Sequence, residues 1–363
     1  MTIQENLTAA LEQLVDPQTS LSFKASRSQL TVAPGAQDGH FTVQLVLGYP
    51  AQSRFDALRQ LVEQTARAQP GVTAIDVTVS QRIVAHAVQR GLARVPGVKN
   101  LIAVGSAKGG VGKSTTAVNI ALSLAAEGAT VGMLDADIYG PSLPLMLGIH
   151  GKPESQDGKT MNPLEGHGLQ ANSIGFLIGP DEAMIWRGPM VTSAFNQLLT
   201  QTNWRDLDYL IVDMPPGTGD IQLTLSQKAP VTGAVIVTTP QDLALLDARR
   251  GLKMFEKVNV PVLGVVENMG VHICSNCGHA EHIFGAGGGA AMCAQYGVDF
   301  LGSLPLDISI RAGSDIGEPS VVTAPDSVVA LLYRQIASSI AARVAALPRD
   351  FSGKLPAIVV EKS

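Results

Sequence analysis

The stretch AVGSAKGGVGKSTT, residues 103–116, decides how the rest of the chain is read. It stands between the apolar run 101–104 and a pattern that predicts a helix starting near Ser114. Binding phosphate takes backbone amides aimed inward, which glycines allow without steric clash, and a helix N-terminus to attract negative charge. Gly109, Gly110 and Gly112 meet that need, and the expected nucleotide contacts run from Gly109 through Val111 to Thr115. Lys113 is placed to reach the terminal phosphates and the Ser114 hydroxyl to ligate magnesium. The usual pattern GxxxxGKS has a glycine where this chain has Ala107.

Outward from this loop, short β-branched runs at 130–134, 209–212, 233–237 and 260–266 alternate with longer helical stretches. That rhythm predicts strand-helix-strand units and a parallel sheet flanked by helices. Ligands of such sheets bind beyond the carboxyl ends of the strands, so acidic residues at those ends are site candidates. Asp135 and Asp137 lie in LDADIYGPSLP, and Asp213 lies in LIVDMPPGTGD. Asp213 suits the group that holds hydrated magnesium and Asp137 the positioning of an attacking water, because phosphoryl transfer is mostly alignment and charge neutralisation. Asp135 suits either job, magnesium included, or bracing of its own loop.

Residues 1–88 have a different pattern. Ile3, Leu7, Leu11 and Leu14 step at helical spacing up to Asp16-Pro17. Residues 40–47 alternate as a half-buried strand, Phe55, Leu58, Leu61 and Val62 predict a second helix, and 72–79 reads as a further strand. The result is a small α+β domain, followed by a linker at 89–99 punctuated by Gly91, Pro96 and Gly97. The large α/β domain then spans 100–348. Its last helix starts near Asp326, carries Leu332, Ile336, Ile340 and Val344 on one stripe, and stops at Pro348, leaving 349–363 as a tail.

Composition narrows the partners. The chain has 363 residues, 45% hydrophobic and 16% charged, against a usual charged share of about 25%. That supports globular cores, one large and one small, and excludes extensive disorder. The net charge is −5 and no block of like charges occurs, so neither nucleic acid nor an anionic membrane is an expected partner. Three cysteines cannot build a disulfide framework, and MTIQENLTAALEQL lacks the apolar core of a signal peptide. A soluble protein of the reducing cytoplasm is expected.

Two of those cysteines, Cys274 and Cys277, form a CxxC within ENMGVHICSNCGHAEHIFGAGGG, residues 267–289. The spacing lets two thiolates face one metal or cluster, which normally takes four ligands. A zinc ribbon needs a second CxxC roughly 15 to 20 residues on; Cys293 falls at that distance but stands alone and reads as a small buried hydrophobe. If two chains pair about a two-fold axis, their four thiolates fit a bridging 4Fe-4S cluster. His272, His279 and His282 keep an in-chain zinc site open, and a redox CxxC fits poorly because Gly278 and the following glycines predict a loop.

Together, KGGVGKST, DADIYGPSLP, DMPPGTGD, ENM followed by CxxC, and LPLDISIRAGSDIGEPSV resemble the Mrp/ApbC family of P-loop ATPases, described as iron-sulfur cluster carriers. The resemblance covers residues 96–325. It implies a P-loop NTPase sheet, ATP hydrolysis and a labile, solvent-accessible cluster that is handed on to apo-proteins. Lys108, one residue before the paired glycines, is similar to the extra lysine of deviant Walker A loops, which reaches across a dimer to the partner's nucleotide; the resemblance therefore implies an ATP-sandwich homodimer and places Lys108 among the catalytic residues. Asn268 and the loop Pro305 to Asp307 resemble the adenine-contacting positions of that class. Residues 1–88 resemble the small iron-sulfur assembly accessory domain of bacterial members, although they contain no cysteine. Two related classes compete. A partition or division-site switch ATPase of the membrane-targeting kind should end in a basic amphipathic helix, whereas this chain ends LPAIVVEKS. A nitrogenase-type reductase bridges a cluster too, but its ligands are not expected as one CxxC after ENM.

Overall fold

Apolar residues on both sides of a strand require cover on both faces, and Leu207–Asp213 and Gly233–Thr238 are buried along their whole length. They flank Val98–Gly105 at the middle of an eight-stranded sheet. From one edge the order is Phe300–Ser303, Val262–Glu267, Gly233–Thr238, Val98–Gly105, Leu207–Asp213, Val131–Asp135, Leu169–Ser173 and Leu164–Gly166. Every neighbouring pair is parallel except the last, an antiparallel edge hairpin. This computed structural model describes residues 2–178, 187–274 and 276–350. The expected tail therefore lies outside the described residues beyond position 350.

The five strands expected from sequence are present with ends shifted by at most three residues. The sheet begins at Val98, inside the stretch read as linker. Alternate residues of the central strand face opposite ways: Ile102 and Val104 join one core, Leu101 and Ala103 the other. Helices Lys113–Ala126 and Val328–Ala346 pack on the first face. Gly188–Thr200 and Asp242–Lys257 pack on the second. By length and composition Val328–Ala346 could cross a membrane, but two thirds of it is buried in the protein, as befits a core helix.

The N-terminal unit is a three-stranded sheet of Gln29–Pro34, His40–Leu47 and Ala74–Gln81, covered by helices Ile3–Gln13 and Phe55–Arg67. Phe41, Val43, Leu45 and Leu47 are its buried stripe, as the alternation predicts. The third strand starts two residues later than expected, because Val72 and Thr73 still bond to the preceding turn and to Gly39. Its core is not separate. Leu7, Leu45 and Val62 belong to the same cluster as Ile120 of the phosphate-loop helix and Ile340 of the last helix. The two cores are thus divided by the large sheet, and the small unit completes one of them.

Polar contacts fix this seam. Glu127, which caps the C-terminal end of helix Lys113–Ala126, is buried and accepts from the Ser53 amide at 3.0 Å and the Ser53 hydroxyl at 2.7 Å. Gln81 donates to the Glu127 carbonyl at 3.1 Å. Within the unit, buried Asp16 accepts from Tyr49 Oη at 2.9 Å and Arg54 Nη1 at 2.7 Å. Burial, then the Asp16 charge, push the Tyr49 phenol far above its ordinary value.

Candidate functional site

The strand Val98–Gly105 leads into the glycine loop at the point where the strand order turns from one side of the sheet to the other. Chain connection after a parallel strand leaves a crevice at this end. Gly110 and Gly112 both take left-handed backbone at φ 81°. A Cβ on Gly109 or Gly110 would meet nothing within 4 Å, so the loop opens a cradle lined by backbone. Gly112 is different: its Cβ would fall 2.2 Å from Asn268 Nδ2. That amide donates to the Val111 carbonyl at 2.9 Å, so the close approach demands glycine. The helix then starts at Lys113, aiming its unpaired N–H groups at the cradle.

Lys113 is buried and its Nζ donates to Asp213 Oδ1 and, at 3.1 Å, to Ser114 Oγ. Asp213 ends its strand in register with Val104 on one side and Asp135 on the other. Asp135 accepts four hydrogen bonds: from the amides of Asp137 and Ser142 at 3.0 Å, of Leu143 at 3.2 Å, and from Ser173 Oγ at 3.1 Å. These bonds tie its oxygens to the 136–143 loop and to the strand Leu169–Ser173. Burial and the Asp213 charge push Asp135 up to about 7. Asp137 is half-buried; desolvation raises it against the pull of Lys113. Lys108 is half-buried on the loop, its carbonyl accepting from Ser106 Oγ at 3.0 Å. The Gly217 amide donates to the Ser106 carbonyl at 2.9 Å, which ties the DMPPGTGD segment to the same loop.

Asn268 follows the strand Val262–Glu267 and is buried against the loop. The Leu304 amide on the Glu267 carbonyl and the Leu306 amide on the Val271 carbonyl, both 2.8 Å, bring Pro305 and Asp307 alongside. Pro305 is buried, and Asp307 caps helix Ile308–Asp315 through the Ser309 amide at 2.7 Å.

The cysteines sit on an exposed two-stranded hairpin, His272–Ile273 paired with Ala280–Glu281. The Cys274 amide donates to the His279 carbonyl at 2.9 Å and the Gly278 amide to the Cys274 carbonyl at 2.8 Å, so the turn is a tight knuckle closed by Gly278 at φ 72°. The Asn276 and then the Cys277 backbone amides point at the Cys274 sulfur and draw its thiol below the ordinary value. Cys277 is exposed and Cys274 half-buried. Among the described residues no third His, Cys, Asp or Glu joins them to form a metal-holding group. His272 and His282 turn Nδ1 toward the carbonyls of Leu306, at 3.1 Å, and Gly270, at 2.6 Å. Cys293 is buried in helix Gly288–Tyr296, and burial pushes its thiol up to about 11.

Three contributors escape sequence reading. Ser173 lies on a short strand without an apolar run. Glu267 is buried and accepts from the Gly289 amide at 2.7 Å and Ser303 Oγ at 3.2 Å, tying the start of the cysteine segment to its end and to the edge strand Phe300–Ser303. His282 is read only as a possible ligand. Glu267 had a signal, a carboxylate at a strand end.

A phosphate-cradling loop, a buried lysine and strand-end carboxylates on a parallel sheet define a P-loop ATPase, here with a thiol pair on a surface hairpin that follows Asn268 in the chain. The model of the NUBPL iron-transfer P-loop NTPase family matches residues 97–341, and that of an iron-sulfur cluster assembly protein matches residues 4–77. The chain belongs to this NUBPL iron-transfer P-loop NTPase family. It is 54% identical over 308 residues to the iron-sulfur cluster carrier protein of Escherichia coli (strain K12), covering 85% of this chain and 84% of that one. It is 52% identical over 256 residues to the iron-sulfur cluster transfer protein NUBPL of Mus musculus, covering 70% and 80%. Among solved structures, the Archaeoglobus fulgidus nucleotide-binding protein in complex with ADP is similar at TM-score 0.55 and 37% identity, over 62% of this chain and 89% of that one. The Pyrococcus furiosus cell division ATPase MinD shares the fold at TM-score 0.51 and 21% identity, over 66% of this chain and 98% of its own.

Proposed function

We propose that this protein is an ATP-dependent iron-sulfur cluster carrier that holds a labile 4Fe-4S cluster between two copies of the chain and passes it to apo-proteins in a reducing cytoplasm. The observation that carries the reading is the exposed knuckle of Cys274 and Cys277. It offers two sulfurs with amides aimed at one of them, and lies six residues from the side chain that touches the phosphate loop. Two ligands per chain suit a cargo shared with a second chain and readily surrendered.

Residues Gly109 to Thr115 bind the nucleotide phosphates through backbone amides. Lys113 moves its charge from Asp213 to the phosphates. Lys108 reaches toward the partner chain's nucleotide, and Asn268, Pro305 and Asp307 form the side of the crevice that takes the base. An all-oxygen donor set of Ser114 and Asp213 suits magnesium, which when bound neutralises phosphate charge. Asp137, half-buried at the crevice, orients the attacking water, and Asp135 holds the loop that carries Asp137. No nucleic acid or membrane partner is part of this reading.

Anaerobic reconstitution followed by iron, sulfide and subunit-mass determination tests it. Four irons and four sulfides per pair of chains is the expected result. Zinc at one per chain, or a chain that stays single with cluster and Mg-ATP supplied, overturns it.

A further inference from the structure

Between Asn268, which touches the phosphate loop, and the first cysteine the chain is short and held at every other step. Asn268 Nδ2 donates to the Val111 carbonyl at 2.9 Å, and the Asn268 amide donates to the Thr238 carbonyl at 2.7 Å. Met269 follows in left-handed backbone at φ 60°, a conformation that strains a non-glycine residue. The Gly270 amide is fixed to the Leu304 carbonyl at 2.9 Å, and the Gly270 carbonyl receives His282 Nδ1 at 2.6 Å. His282 lies just beyond the second strand of the thiol hairpin and His272 begins the first. His272 Nδ1 in turn meets the Leu306 carbonyl at 3.1 Å. The second arm of the hairpin is therefore latched to the segment that Asn268 anchors under the loop, and the first arm to the neighbouring loop at Leu306.

We infer that Asn268, Met269 and His282 are positioning residues that transmit occupancy of the phosphate loop to the Cys274 and Cys277 thiols. Rearrangement of the Val111 carbonyl shifts the Asn268 amide. Met269, already strained, takes up the backbone rotation, and His282 converts it into movement of the hairpin. The geometry supplies a hinge between two anchored points, which a continuous packed core would not. The inference rests on the cluster-carrier reading above.

Coupling between two sites is reciprocal, so nucleotide affinity must depend on cluster occupancy by the same factor that cluster retention depends on nucleotide. The test uses the full-length protein, with and without reconstituted cluster, and measures the Kd of Mg-ATPγS in both forms. Wild type is expected to show a ratio of about 5- to 150-fold between them. Met269→Gly, which relieves the strain, and His282→Phe, which removes the donor, are expected to bring the ratio to within about twofold of one. Their cluster content, visible absorbance and cluster-free Kd should match wild type. His282→Asn, which keeps a donor near the same place, should restore much of the ratio. Variants that retain the wild-type ratio overturn the inference while leaving the carrier reading intact. A wild-type ratio of one, with cluster and nucleotide both bound, overturns the ATP dependence and this inference together.

Discussion

Asp213 and Asp135 face each other in direct register across adjacent parallel strands, both fully enclosed beside the nucleotide crevice. Two carboxylates this close cannot both ionise without cost, and burial followed by the Asp213 charge push Asp135 up to about 7. The unfolded chain releases that proton near the ordinary carboxylate value. Between the two values the folded state therefore holds more protons, so the contribution of Asp135 to stability is fully present below the unfolded value and is lost as pH rises through the folded one. In urea unfolding of the nucleotide-free protein, wild type should lose stability relative to Asp135→Asn as the pH is raised from about 5 to 8. Parallel stability curves for the two chains over that window would contradict the assignment.

Lys113 neutralises the other member of this pair. Lys113→Ala should lower ATP turnover by about 10²- to 10³-fold, the usual loss for one transition-state donor. Because it also strands a buried carboxylate, the same change should cost about 3 to 5 kcal/mol of stability. Phosphate release at saturating Mg-ATP, with urea denaturation in parallel, reads both. Undiminished turnover in a folded variant would remove the loop from the chemistry.

Gly112 tests the cradle from its floor. A Cβ there meets Asn268 Nδ2 at 2.2 Å on a backbone at φ 81°, so Gly112→Ala must either displace the amide or twist the loop. Nucleotide affinity should fall at least tenfold, about 1.4 kcal/mol. Gly109→Ala, whose Cβ would meet no protein atom within 4 Å, should leave the fold undisturbed, so its urea midpoint is the reference against which the strain of Gly112→Ala is read.

How much of this was legible follows from where the apolar residues lie. The runs at 101–104, 209–212 and 233–237 become strands buried on both faces, so their residues had to be continuously apolar and could be read directly. Leu169–Ser173 is equally buried yet reads LQANS, because Gln170 and Asn172 satisfy their polar atoms on Arg205 and Thr202 across the fold. No local pattern announces such a strand. The glycine loop, Asp135, Asp137 and Asp213 stand out as candidates in the sequence because the phosphate chemistry proposed for them restricts residue type at each position. Glu267, Ser173 and His282 were not, since their partners are backbone groups or distant side chains that only the folded chain brings near. The shared core was hidden for the same reason: Leu7 and Ile340 belong to one hydrophobic cluster although most of the chain separates them.

Cys277→Ala separates cargo from motor. Cys277 is exposed on its knuckle, so its loss should abolish cluster retention while the Kd for Mg-ATP stays within about twofold of that of the cluster-free wild type. Iron and sulfide analysis after anaerobic reconstitution, beside nucleotide titration, measures both. A variant that still retains cluster at wild-type yield would rule out the thiol pair as ligands.

The seam offers the last test. Glu127 ends the helix that begins at Lys113, and its carboxylate is satisfied by Ser53 of the N-terminal unit at 2.7 and 3.0 Å. One rigid helix thus joins the phosphate loop to the small unit. Ser53→Ala removes the hydroxyl and leaves a buried carboxylate short of a donor, a loss of about 1 to 3 kcal/mol. Glu127→Ala removes both interactions, yet Gln81 and the Gln52 amide still hold its carbonyl, so the helix end should stay in place. Because the two units share one core, either change should lower the denaturant midpoint of a single transition rather than create a second one. Two separate transitions in urea, followed by tryptophan fluorescence and far-UV dichroism, would show that the small unit folds independently of the face it covers.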